Sequence, residues 1–124
     1  MSAWLAVLLG GAVGAPLRYV VDRAVTERTA SAGPLGRLPW GLFVVNVVGS
    51  ALAGAVLATT SGDLRILLLV GLCGAFTTFS GFGWELSRLW DTARPAFWTS
   101  VIAKPVACVA AFLLVWRLAA ALAG

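Results

Sequence analysis

The sequence predicts an all-α integral membrane protein, four transmembrane helices in a single domain spanning residues 1–124, and three observations carry that reading. Hydrophobic residues make up 60 % of the chain and charged residues 11 %, where soluble domains carry about 25 % charged residues. Four runs are nearly free of charge: residues 3–21 with only Arg18, 40–60 and 66–84 with none, and 96–116 with only Lys104. Each is close to the ~20 residues needed to cross ~30 Å of hydrocarbon at ~1.5 Å per residue. The remaining charges collect between the runs, in Asp22, Arg23, Glu27, Arg28 and Arg37, then Asp63 and Arg65, then Arg88, Asp91 and Arg94. Helices are expected over about 3–25, 40–60, 64–88 and 96–120.

The first run lacks a basic leader and is too long for a signal peptide, so it reads as a span that is not cleaved. Its Gly10 and Gly14 stand four apart, as do Gly49 with Ala53 and Ser50 with Gly54 in the second helix. Small residues at that spacing let backbones approach closely, within one subunit or between two. Residues 31–39, "SAGPLGRLP", close the first helix and open the second with two prolines and two glycines. In the second helix Asn46 stands alone among aliphatic residues, and its amide either cross-links two helices or faces an aqueous path.

The third helix contains "GLCGAFTTFSGFGWE", residues 71–85, in which Gly71, Gly74, Gly81 and Gly83 surround Thr77, Thr78 and Ser80. Each glycine lowers helix propensity by ~1 kcal/mol relative to alanine, and a break near the middle of this helix is expected. Freed backbone carbonyls at such a break suit a cation such as sodium. Phe79 and Phe82 are three apart and share a face if helix resumes beyond the break. The electropositive edge of an aromatic ring favours an anion. The fourth helix carries Ser100, Lys104 and Cys108 at i, i+4 spacing, with Pro105 after the lysine. An ammonium nine residues into a span must snorkel, pair or face water. Cys73 and Cys108 lie inside spans and read as small buried hydrophobes.

Composition also excludes function classes. The net charge of +4 resides in the connections and reports topology rather than nucleic-acid binding. Arg23, Arg28, Arg37, Arg88 and Arg94 fall on one side of a four-span chain and Arg65 and Arg117 on the other, which places both termini outside the cell. Histidine is absent, and no nucleophile, base and orienting group assemble from residues inside the spans, so an enzyme is not expected. A small multidrug transporter needs a membrane-embedded carboxylate, and Glu85 lies at the end of the third span. A non-conducting structural subunit would use the same glycines and hydroxyls for packing alone. One thin bundle encloses little, so oligomerisation is expected.

Three patterns in order, "GGAVGAPLRY", "GLFVVNVVGSALAG" and "GLCGAFTTFSGF", resemble the Fluc (CrcB) family of small fluoride channels, closely over residues 10–86 and by hydropathy alone in the last helix. The resemblance implies an antiparallel, dual-topology dimer in the cell membrane, the bacterial inner membrane, with two narrow anion pores and a central sodium ion. It implies that Asn46 offers its amide to fluoride, that Phe79 and Phe82 present ring edges along the pore, and that Thr78 and Ser80 sit beside it. The carbonyls of Gly74 and Thr77 would hold the sodium, and Arg18 would stand near a vestibule. Fluoride would leave passively, down its gradient, after entering the cell as the neutral acid.

The sequence departs from the family at two places. The pattern T-T-F-S-T-F reads T-T-F-S-G-F here, with Gly81 where a threonine hydroxyl is expected. The fourth helix lacks the family's tyrosine, Tyr19 being the chain's single tyrosine, and presents Ser100 and Lys104 as candidate pore-facing groups. A lysine in the path would bind anions tightly or change which anion passes. Two partners are therefore open: a second copy of this chain, or a similar, oppositely oriented subunit with which this one forms a hetero-dimer having one vestigial pore. The charge bias favours a subunit of fixed orientation.

Overall fold

The computed structural model describes residues 1–31, 33 and 39–124. Most of the 31–39 connection, with Arg37, lies outside the described residues. The chain runs as α1 (Ala3–Thr29), α2 (Trp40–Thr59), a third span made of α3 (Gly62–Arg65), a wide π-helical segment (Ile66–Cys73), α4 (Gly74–Phe76) and α5 (Phe79–Thr92), and finally α6 (Arg94–Ala123). Among the described residues there is no strand, and four helical stretches are long and apolar enough to cross a membrane. The chain is a multi-pass membrane protein.

The helices run past the hydrophobic runs because helix continues where hydrocarbon ends. Beyond the apolar part of α1, Arg23 donates to Glu27 at 2.9 Å and to the Tyr19 hydroxyl at 2.7 Å. Thr26 donates to Asp22 at 3.3 Å, so the last turns are held by i, i+4 pairs facing water. Ser2 caps the start of α1, its hydroxyl accepting from the Leu5 N–H at 3.2 Å. At the end of α2, Arg65 reaches back and donates to the carbonyls of Leu57 and Thr60, a cation on the negative end of the helix. The amino terminus pairs with Asp63 at 3.2 Å, which sets the start of α1 beside the start of the third span.

Glycines decide how closely the helices cross. Gly10 of α1 lies on the backbone of the π segment, where an added Cβ would strike Leu67, Gly71 and Leu72 main-chain atoms. Gly71 faces it, and a Cβ there would stand 2.9 Å from the Gly10 Cα. Gly54 seats α2 against the main chain of Phe112 and Trp116 in α6, and Gly49 seats it against the side chains of Thr77 and Phe76. Of the small-residue pairs noted in the sequence, these glycines make contacts within the chain.

One residue, Ala93, separates α5 from α6, and the two form a hairpin. Trp90 packs on Phe97 at 5.0 Å and on Trp98 at 6.3 Å across that turn, with the Arg94 guanidinium 4.4 Å from the Trp90 ring. Aromatic rings with arginine at a span end are the signature of a membrane–water interface.

The expected break in the third span is present near its middle, carried by the threonines that the glycines flank rather than by the glycines themselves. It falls at Thr77 and Thr78, whose backbones are extended at φ −81°, ψ 162° and φ −146°, ψ 125°. Extended backbone is open to any residue and suits β-branched threonine. Gly71, Gly74, Gly81 and Gly83 keep negative φ; among the described residues the positive values belong to Gly33 and Gly62.

Candidate functional site

The break is stapled by Asn46. Its side-chain amide donates to the Thr78 carbonyl at 3.0 Å and accepts from the Thr78 N–H at 2.8 Å. The backbone N–H requires an acceptor opposite it, which fixes the oxygen of the amide on that side. An unbroken helix would give the Thr78 N–H to the Gly74 carbonyl and the Gly81 N–H to the Thr77 carbonyl. The first goes to Asn46 instead, and the second goes to the Thr78 hydroxyl at 3.0 Å. Thr78 thereby caps α5, and the Gly74 and Thr77 carbonyls lose their helical donors. The Arg18 guanidinium lies 3.5 Å from the Thr77 oxygen, at the limit of a hydrogen bond.

Helix resumes at Phe79, and the Phe79 and Phe82 rings stand 6.1 Å apart on the restarted turn. With Asn46, Thr77 and Thr78 they line a cavity of about 260 Å³. Its far wall comes from α6 through Lys104, Pro105 and Cys108. The Ser80 hydroxyl stands outside the lining but 3.2 Å from the Thr78 hydroxyl. Gly74 opens instead on a neighbouring cavity that it shares with Thr77, Cys73 and Cys108. Ser100 is buried and lines a further cavity beside Lys104. Six of the ten residues singled out in the sequence thus meet at one cavity, with Gly74, Ser80, Ser100 and Arg18 around it.

Gly81 has a local reason to lack a side chain. A Cβ there would stand 2.9 Å from the Thr78 methyl and 3.3 Å from Leu42. The hydroxyl that a threonine would bring can enter only if the Thr78 cap shifts.

Lys104 does not snorkel. Its ammonium pairs with the Glu85 carboxylate, and the Phe43 ring centroid is 5.9 Å away. The Glu85 side chain is 4 % exposed and that of Lys104 18 %. Hydropathy puts Glu85 at the end of its span; because α5 continues to Thr92, it sits two turns inside. Glu85, Phe43 and Ser50 are the chemistry-bearing lining residues not singled out in the sequence. The signal for the last two was present, since Phe43, Asn46 and Ser50 follow one helical stripe. Glu85 carried no such signal, since hydropathy does not show which faces of two helices meet; in the structure Glu85, Leu89 and Ser100 are buried.

Among the described residues no three His, Cys, Asp or Glu side chains converge.

Residues 5–121 match the family described as CrcB-like protein, Camphor Resistance (CrcB). The chain is 41 % identical over 115 residues to a protein of Streptomyces avermitilis named Fluoride-specific ion channel FluC 1, covering 89 % of this chain and 86 % of that one. It is 35 % identical over 123 residues to Fluoride-specific ion channel FluC of Phocaeicola vulgatus, covering 94 % and 98 %. With Fluoride-specific ion channel FluC 1 of Nocardia farcinica it is 52 % identical over 84 residues, 67 % of this chain and 56 % of the relative's length.

Proposed function

The chain belongs to the CrcB-like family, and from that premise we propose that it is a subunit of a passive, fluoride-selective channel that lets cytoplasmic fluoride leave the cell. The observation that carries the reading is the convergence of a primary amide, two threonines and two phenylalanine rings on one cavity beside a helix break. Fluoride is small and strongly hydrated, so a narrow path must replace its water with donors that do not hold it. Asn46 spends one amide N–H on Thr78 and keeps the other. The Thr78 and Ser80 hydroxyls and the edges of Phe79 and Phe82 add further neutral donors. Arg18 contributes positive potential on the approach.

The working unit is a dimer of two such four-helix subunits in opposite orientations, and the partner is taken to be a second copy of the chain. In support, Phe79 is 84 % exposed on the single chain although it borders the cavity. A second subunit laid on that face encloses the path. The Gly74 and Thr77 carbonyls of each copy then suit one central sodium ion, whose chemistry is to neutralise the carbonyl dipoles gathered there.

Purified protein in liposomes loaded with fluoride tests the proposal. Efflux is expected from this chain alone and to exceed chloride efflux under the same gradient by orders of magnitude. Equal chloride flux, or no flux until a second, different subunit is added, would overturn it in its present form.

A further inference from the structure

The charged residues among those lining the cavity are Glu85 and Lys104. They face each other across the α5–α6 hairpin, in an ion pair withdrawn from solvent. Burying such a pair costs more desolvation than an apolar contact of the same volume, so helix packing alone does not call for it. Nor does the hairpin lack other ties: Ala93 joins the helices directly and Trp90 packs on Phe97 and Trp98. The pair stands where an anion on the proposed path meets it.

We propose that Glu85 and Lys104 form an anion-exchange latch in the cavity wall, in which a passing fluoride displaces the Glu85 carboxylate from the Lys104 ammonium and is in turn displaced by it. This rests on the fluoride-channel reading above. The ammonium has three N–H donors, and the bond to Glu85 Oε1 engages one of them. The others are available to an anion in the cavity. An unpaired ammonium in this low-dielectric wall would hold fluoride too firmly to release it, and an unpaired carboxylate would repel it. Paired, they are neutral at a distance, and the carboxylate competes for the same donors at contact. Glu85 therefore sets how long the ion stays, and Lys104 sets whether it stays at all.

The test reads fluoride flux in liposomes against fluoride concentration for wild type, Glu85→Gln, Lys104→Met and the double variant. The latch predicts that Glu85→Gln lowers the half-saturating concentration by about tenfold, the scale of one charge-assisted hydrogen bond, and lowers the maximal rate. Lys104→Met moves half-saturation upward, and the double variant follows Lys104→Met. Glu85→Asp, which retains the charge but shortens its reach, shifts half-saturation the same way as Glu85→Gln and serves if the amide does not fold. A merely structural cross-link changes the maximal rate through the fraction of folded protein and leaves half-saturation where it was, and that result overturns the latch. Wild type without fluoride flux would instead sink the channel reading beneath it.

Discussion

At the scale of single residues, Asn46 shows how a polar group in a membrane helix combines structure with chemistry. Its two bonds hold Thr78, the residue that turns the third span out of helix. Asn46→Ala leaves the Thr78 N–H and carbonyl without partners in a medium that offers no water. Each orphaned group costs about 1–3 kcal/mol. The expected outcome is a lower melting temperature in detergent together with loss of fluoride flux. Asn46→Asp keeps an acceptor for the Thr78 N–H but sets a carboxylate oxygen against the Thr78 carbonyl, so the ionised side chain is expected to destabilise as well and to repel the anion. A variant lacking the amide that melts and conducts like wild type would show that the break holds itself. The sequence made Asn46 conspicuous by isolating it among aliphatic residues, but two roles stayed open, and the partner settles the structural one.

At the scale of elements, the four spans were legible because charge and hydropathy alone set them, and the break was legible because glycines and hydroxyls crowd one helix. Its position near the middle of the span was legible as well, but not which residues turn out of helix. Threonines adopt the extended turn, whereas Gly71 and Gly81 serve close approach, the first to α1 and the second to the Thr78 methyl. The π segment also escaped the sequence, since its eight residues, "ILLLVGLC", read as ordinary apolar helix. The Glu85–Lys104 pair escaped because hydropathy marks where a span ends but not which faces of two spans meet. Gly10 tests the crossing directly. Gly10→Ala raises helix propensity by ~1 kcal/mol, yet its methyl would strike the main chain of the π segment, which has no side chain to move aside. The steric effect wins: the expected result is a marked loss of folded protein in size-exclusion profiles, where Gly83→Ala, with nothing within 4 Å of its Cβ, leaves the profile unchanged.

At the scale of the molecule, the released carbonyls would connect the break to assembly in the proposed dimer. Gly74 is exposed and the Thr77 carbonyl has lost its helical donor; among the described residues the Arg18 guanidinium is the charged group recorded beside it, 3.5 Å from Thr77. Two copies brought face to face gather four such carbonyls, which repel one another unless a cation lies between them. Sodium bound only by the assembled dimer would stabilise it by about 2.7 kcal/mol at a hundred times its Kd. Exchanging sodium for a bulky organic cation at constant ionic strength is therefore expected to lower the melting temperature and to raise the monomer fraction on dilution. Arg18→Gln removes the one charge that would compete with the proposed sodium ion for the Thr77 carbonyl. If Arg18 and the ion compete there, the variant binds sodium more tightly and needs less of it to reach full stability. A melting temperature indifferent to sodium in both proteins would mean that the carbonyls are satisfied within each chain and that the dimer holds by apolar contact alone.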